Sequence, residues 1–523
     1  MYTVFLTGAT GVMGMAGLRE LARLRHTSPA GEAPHIVVLA RDTKANRRKL
    51  APFIADGVEV VWGDLMNPDD VARGVERADV VLHVGGMVSP QADWHPDLTY
   101  RVNTTAMRHI IDAALRRQAT GEEVKVVYIG SVSQYGNRPE GAHWGRTGDP
   151  VAVATYDKYA LSKCVAERML AESGLRRWAS LRQTGIMYPR ILMNGSDPIA
   201  FHVPLRGCLE WVSDTDSGRL LRAVASPDVP DSFWCRYYNI GGGESYRMSN
   251  YDFVQLTLRA VGCPPAEKVF GRNWFATRNF HGMWYLDSDL LDALLHFRSG
   301  ETMPDFVAGI IRQLPWYFRL APLAPAWAIR AAMKRVAMKR VLGPLRWVAD
   351  DDADRLFAAF GGRDAWKAIP GWRKGEDWSL PREAQPLDHG YDETRPLASL
   401  TLADLDRAAR YRGGRCLPAI APAPEAAAAA PATAAAAAPG SAVAEAHAPA
   451  APAAAEDAAA IRSIDPDTPI EWECAEGHRF RLRPRTVLLG GHWCPECLAA
   501  MSADPHALYR QATSNPFLAQ IVK

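Results

Sequence analysis

The chain has 523 residues, a nearly balanced charge (formal net +2) and 48% hydrophobic residues. That length calls for more than one domain with ample apolar residue for a core, and the charge balance excludes a nucleic-acid role argued from charge alone. No apolar run reaches bilayer-spanning length, Met1 leads into "YTVFLTGATG" without a signal-peptide pattern, and most of the eight cysteines are scattered singly, so a reducing, cytoplasmic setting is expected.

From residue 1 to 315, short Val/Ile-rich runs alternate with helical stretches. "YTVFLTG", "HIVVLAR", "VEVVWGD", "DVVLHVGG" and "VKVVYIGS" read as buried parallel strands, with further strands at "WASLRQTGIMY" and "RYYNIGGG". The alternation predicts an α/β fold with a doubly wound parallel sheet of Rossmann type, completed by a smaller substrate lobe.

The first strand runs into "TGATGVMG", which sets Gly8, Gly11 and Gly14 in a turn that opens a helix. Glycine lets the backbone turn sharply and approach a pyrophosphate with no Cβ in the way, and the helix start offers free N–H groups to the anion. Thr10, Val12 and Met13 complete that turn. At the end of the second strand, Ala40 stands where an acid for ribose hydroxyls is expected, and Arg41 follows it. An arginine there can pair with a 2′-phosphate, which favours NADP; Asp42, one residue on, keeps NAD open.

"VVYIGSVSQYG" places Ser131 just past a strand's C-terminal end, where α/β enzymes bind ligands. "YDKYALSK" places Tyr159 and Lys163 four apart, on one helix face. A lysine cation would stabilise a phenolate, so Tyr159 is expected to exchange a proton with a substrate oxygen while hydride moves to or from a nicotinamide. His83 reads as support for the cofactor-side loop rather than a catalyst. The aromatics of "FGRNWFATRNFHGMWYLD" read equally well as a pocket lining or as packing between lobes.

Residues 316–416 change character. "WAIRAAMKRVAMKRVLGPLRWV" is basic, tryptophan-flanked and helical by propensity. Packing on the enzyme lobe is the preferred reading, and peripheral membrane contact is the other. A capped helix is expected after Ser399 or Thr401. Residues 417–460 collapse to alanine and proline and read as a disordered linker. Residues 461–523 form a terminal module in which Cys474 and His478, then Cys494 and Cys497, have metal-ligand spacing. Four protein ligands suit a structural zinc, since a catalytic zinc keeps one position open. Arg479, Arg481, Arg483 and Arg485 alternate as on one strand face, and a protein partner, a carrier or the enzyme's own surface is preferred to nucleic acid.

With these motifs in order, residues 1–315 resemble an extended short-chain dehydrogenase/reductase, the superfamily of the NAD-dependent epimerase/dehydratase proteins. The matching segments include "TGATGVMG", "GDL", "VNTTAMRHIIDAA", "YIGSVSQYG", "YDKYALSK" and "YNIGGG". The C-terminal module resembles a treble clef or zinc ribbon. The first resemblance implies Tyr159 as acid/base, Lys163 as ribose ligand and tyrosine activator, and Ser131 as donor to the substrate oxygen. It also implies Asp64 and Leu65 on the adenine side, Val84 and Gly85 beside the cofactor, and Asn103 behind the site. "HVGG" (His83–Gly86) and "RQ" (Arg182–Gln183) depart from the family's usual residues, and "SVSQ" lacks the acid of sugar dehydratases. The expected activity is therefore an NADP-dependent reductase or dehydrogenase acting on a small-molecule carbonyl or secondary alcohol, in a homo-oligomer. The alternatives are an NAD-retaining nucleotide-sugar epimerase and, from another class, a nucleotide-sensing scaffold with a partner-recruiting zinc module.

Overall fold

A computed structural model describes residues 2–29, 32–191, 197–417 and 464–522. All seven strands expected from the hydrophobic runs form: β1 (Thr3–Thr7), β2 (His35–Ala40), β3 (Glu59–Trp62), β4 (Val80–His83), β5 (Lys125–Ser131), β6 (Trp178–Gln183) and β7 (Arg236–Ile240). They make one parallel sheet in the order β7-β6-β5-β4-β1-β2-β3. Both faces of this sheet are covered, which is why the strands are apolar runs rather than alternating ones.

On one face lie α1 (Val12–Thr27) and, from the far half of the chain, a helix over Asp214–Val224; Leu18, Leu21, Leu220 and Leu221 seal them to Val4, Leu6 and Val38. The other face carries α3 (Pro68–Val75), α4 (Pro96–Ala119) and α5 (Lys158–Ala171), packed on Phe5, Val81 and Val126. Local chemistry starts these helices: Asn67 caps α3 with Pro68 behind it and Asp69 and Asp70 in the first turn, and Asp157 accepts the Ala160 N–H at the head of α5. Between β2 and β3 sits α2 (Lys44–Ala55).

The basic segment forms α6 (Ala326–Ala337). Its Ile329, Met333 and Val336 pack against the cluster of Phe201, Phe270 and Trp274, so this helix does lie on the enzyme lobe. No helix among the described residues is long and apolar enough to cross a membrane.

Here the structure departs from the expected module boundaries. The helix α7 (Leu402–Tyr411), capped by Thr401, leads into β8 (Gly414–Leu417), and β8 pairs antiparallel with β9 (Ile470–Cys474), which pairs with β10 (Arg479–Leu482). A boundary at 416/417 therefore cuts through a three-stranded sheet, because residues before the linker supply one strand of the terminal module. The linker itself, all but Leu417, lies outside the described residues.

The module is also not held at a distance. Val151 N–H donates to the Gly491 carbonyl and Tyr156 N–H to that of Ser502. Leu498, Met501, Phe517 and Leu518 share a core with Val151, Val153 and Ala160.

Candidate active site and metal centre

The glycine turn lies between β1 and α1. Gly8 has φ +76°, and a Cβ there would stand 2.7 Å from the Gly85 nitrogen; one on Gly14 would stand 2.2 Å from the Gly8 carbonyl oxygen. Glycine at these two positions is thus demanded by a left-handed backbone and a close approach. The N–H groups of Val12, Met13 and Gly14 precede the first bond of the helix, Met15 N–H to Gly11 O, and no side chain caps the helix start. Gly11 and Val12 are exposed, Thr10 is half-buried, and Met13 turns its side chain into the core, so Met13 offers an anion only its backbone. Lys49, on α2, braces the turn by donating to the Thr10 carbonyl at 2.9 Å. This cradle fits a dinucleotide pyrophosphate.

Around it, the other expected cofactor residues converge. Thr7 Oγ1 accepts from Gly85 N–H (2.9 Å) and meets His83 Nδ1 (2.9 Å). Burial, with Lys163 adding to it, holds His83 down to about 3, so it is neutral and supports the loop. Leu65 packs against Gly85, beside half-buried Val84, and its carbonyl meets His109 Nδ1 at 3.0 Å. Asp64 accepts the Met66 N–H. Asn103 clamps the loop after β4 by accepting Met87 N–H and donating to the Met87 carbonyl and Ser162 Oγ. At the end of β2, Asp42 is held in a two-pronged pair by Arg47 (2.6 and 2.7 Å), whose guanidinium covers Trp62. The Arg41 guanidinium is exposed and has no hydrogen-bond or ion-pair partner among the described residues.

Ser131, Tyr159 and Lys163 come together at the C-terminal edge of the sheet. The Ser131 hydroxyl lies close enough to Tyr159 to favour its phenolate, and Lys163 Nζ lies 5.8 Å from the Tyr159 ring while donating to the Ile129 carbonyl at 2.8 Å. Ser131 Oγ also accepts from Ser133 N–H and Oγ. Burial pushes the Tyr159 phenol up to about 12, against the pull of the nearby Ser131 hydroxyl, and pushes Lys163 down to about 8, against Glu167. The expected lowering of Tyr159 by Lys163 is thus not what this site shows; burial dominates both groups.

The lysine shift carries a stability consequence. Lys163 falls from 10.5 to about 8, so between those values the unfolded chain binds more protons and stability rises with pH; below 8 the whole penalty is present. At about 1.4 kcal/mol per tenfold change in proton affinity, that penalty is about 3.5 kcal/mol. Lys163→Met should be more stable than wild type at pH 7, by about 1–3 kcal/mol. That advantage should vanish by pH 10 in denaturant melts; equal stabilities at pH 7 would contradict it.

Sequence reasoning missed two features. Asp93, half-buried in a short helix, lies close enough to Tyr159 to raise its phenol, has an unpartnered buried Oδ2, and is itself pushed up to about 6 by burial and Asp157. It follows no strand end and has no diagnostic spacing. The second is a hub behind the catalytic helix. Glu167 Oε1 accepts from Arg182 (2.6 Å), His492 Nε2 (2.8 Å) and Gln134 Nε2 (2.9 Å), while Gln134 Oε1 accepts the Ser131 N–H (2.8 Å). Arg182, the first residue of the "RQ" departure, points into this hub and donates to the Gly490 carbonyl. Burial would raise the Glu167 carboxyl, yet Arg182 and His492 outweigh it and the net shift is far downward.

A cavity of about 550 Å³ is lined mainly by apolar side chains including Trp211, Phe253, Phe270, Phe280 and Met333, and is bordered by Gly185, two residues past β6; Ser131, Tyr159 and Lys163 do not line it. Two aromatics of the Phe270–Asp287 segment, Phe270 and Phe280, thus face a pocket, whereas Trp274, Phe275, Trp284 and Tyr285 are packed inside.

In the terminal module, His478 Nδ1 lies 3.4, 3.4 and 3.5 Å from the sulfurs of Cys474, Cys494 and Cys497, and the Cys474 and Cys497 sulfurs are 3.7 Å apart. A tetrahedron with bonds of about 2.3 Å to sulfur and about 2.1 Å to nitrogen has edges of roughly 3.6 and 3.8 Å. The donor set therefore fits zinc. The basic stripe is largely spent inside the molecule: Arg479 pairs with Glu473 and Arg485 with Asp467, while Arg483 donates to the Ala171 carbonyl.

Residues 4–188 match the family model described as NAD dependent epimerase/dehydratase family. That match covers about a third of the chain, and it is this segment that is similar to the family. Curated proteins to which this chain is similar include D-erythronate dehydrogenase of Cupriavidus necator, 28% identical over 179 residues (33% of this chain, 51% of the relative). Another is 2-alkyl-3-oxoalkanoate reductase of Shewanella oneidensis, 26% identical (37% of this chain, 46% of the relative). Human 3 beta-hydroxysteroid dehydrogenase type 7 is 28% identical (25% and 37%). The chain spans about half, or less, of the length of these relatives. Among solved structures, a dTDP-glucose 4,6-dehydratase of Streptomyces venezuelae with NAD bound aligns at TM-score 0.47 and 21% identity, covering 60% of this chain and 96% of that one. The UDP-glucose 4-epimerase of Thermus thermophilus aligns at 0.44 and 20%, covering 61% and 99%.

Proposed function

We propose that this protein is an NAD(P)-dependent oxidoreductase that interconverts a carbonyl and a secondary alcohol, working mainly as an NADPH-dependent reductase. The observation that carries the reading is the Ser131–Tyr159–Lys163 group at the sheet edge that also carries the glycine cradle. A dinucleotide whose pyrophosphate rests on Gly8, Gly11, Gly14 and the α1 N-terminus would supply or accept the hydride through its nicotinamide. The side chains handle the proton. Tyr159, protonated at neutral pH, gives its proton to the substrate oxygen as negative charge develops there, and Ser131 Oγ donates a hydrogen bond to the same oxygen. Lys163 stabilises the phenolate left behind. The absence of an acid among Val132–Gln134 disfavours dehydration, and the apolar cavity supports a bulky, weakly polar substrate over a sugar nucleotide.

NADP is preferred because Arg41 is free to meet a 2′-phosphate while Asp42 is occupied by Arg47. Zinc at Cys474, His478, Cys494 and Cys497 is read as structural, all four positions being protein ligands. Calorimetric titration of the purified chain, after a check for carried-over nucleotide, tests the cofactor reading. NADPH should bind at least about tenfold tighter than NADH, and Arg41→Ala should erase that preference at a cost of about 1–3 kcal/mol. Tightly retained NAD would instead favour the epimerase.

A further inference from the structure

Residues 306–349 contain eight lysines and arginines and no acid, in a chain whose net charge is only +2. The remainder therefore carries −6, so the charge is sharply segregated. Within the same stretch, Trp316, Leu323 and Trp327 fall in twelve consecutive residues and are 72%, 78% and 74% exposed. Monomeric soluble proteins rarely leave such large apolar side chains together in water.

The helix α6 shows how the two properties are arranged. At 100° per residue, Ile329, Met333 and Val336 fall on one side and Trp327, Lys334 and Arg335 on the other. The first side packs inward, and Ile329 and Met333 also line the apolar cavity. The second side is exposed, and Lys334, Arg335 and the following Arg340 have no acidic partner among the described residues. One helix thus separates an apolar cavity from a surface of tryptophan and uncompensated cations. Tryptophans suit the headgroup level of a bilayer, where the ring is buried and its N–H stays wet, and basic side chains beside them attract anionic lipid.

From this we infer that the surface around Trp316, Leu323, Trp327, Lys334 and Arg335 docks the protein on an anionic lipid bilayer, with α6 between the membrane and the apolar cavity. Insertion is shallow, as α6 is too short and charged to span. A second copy of this chain would have to offer acids against the same cations, and a self-complementary contact would place this basic face against itself.

The experiment is flotation of the full-length, metal-loaded protein with vesicles of phosphatidylcholine alone or mixed with phosphatidylglycerol, at low and high salt. Wild type should float with the mixed vesicles, scarcely with the neutral ones, and less at high salt. Lys334→Glu/Arg335→Glu should weaken partitioning by roughly thirty-fold or more, from about 1 kcal/mol per cation. Trp316→Ala/Trp327→Ala should weaken it at both salts. Light scattering and thermal melts show whether each variant stays folded and whether its oligomeric state changes. No flotation of wild type at low salt, or variants that float as wild type does, would overturn the inference. So would a tryptophan variant that only converts an oligomer to a monomer. NADPH titration of the same samples keeps this outcome separate from the redox reading, since these residues lie outside the nucleotide cradle.

Discussion

Tyr159→Phe should lower turnover by about 10²–10⁴-fold, the usual value of a positioned proton donor, while nucleotide binding and thermal stability stay close to wild type. The phenol is pushed up to about 12 by burial, so at neutral pH it is a filled proton donor rather than a base. Removing one hydroxyl leaves the ring and its packing in place, which isolates the proton. Reduction should be favoured over oxidation near pH 7, because the reverse reaction needs the phenolate that burial disfavours; it should gain as pH rises. Ser131→Ala should cost less, as its hydroxyl only stabilises the developing charge. The decisive comparison is single-turnover hydride transfer for wild type and Tyr159→Phe at saturating nucleotide. Equal rates would remove Tyr159 from the chemistry, and a sensor of nucleotide would keep all its function in the variant.

Loss of the metal should have the largest effect on stability. Cys494→Ser, or exhaustive chelation, should release about one zinc per chain and abolish cooperative folding of the module, since apparent zinc-binding energies of about 10–16 kcal/mol are folding energy in sites of this kind. The effect should not stop at the module. His492 sits two residues before Cys494 and donates to Glu167, and the Gly490 carbonyl accepts from Arg182. Undocking would leave a buried carboxylate and guanidinium short of partners, a change typically costing about 3–5 kcal/mol. Glu167 also holds Gln134, which holds the Ser131 backbone. Metal content by mass spectrometry and a melt with and without chelator check this. A metal-free chain that melts as a single transition at the wild-type temperature would refute a structural zinc.

Glu167 shows why part of this site is not legible in the chain. In "AERML" it looks like an ordinary helix glutamate, yet its partners come from Gln134, Arg182 and His492. His492 reads in the sequence only as a neighbour of a cysteine pair. Asp93 escapes notice for the same reason, since what sets it apart is a buried oxygen and its neighbours Asp157 and Tyr159. Arg182, inside β6, takes one of its acceptors, the Gly490 carbonyl, from the distant terminal module.

The features legible in the sequence are those that short-range physics determines. Seven apolar runs become the parallel sheet because strands buried on both faces must be apolar throughout. The glycines of the β1–α1 turn are required by φ and close approach, Tyr159 and Lys163 share a face because they are four apart on a helix, and the two ligand pairs are set by their own tight turns. What only the tertiary structure decided is everything carried by contacts across the chain: the strand Gly414–Leu417 joining the module across the linker, the docking of that module behind the catalytic helix, and the separation of α6 into a cavity wall and an exposed basic face. Those arrangements depend on which surfaces fit one another, and surface complementarity between distant segments leaves no period or spacing in a sequence.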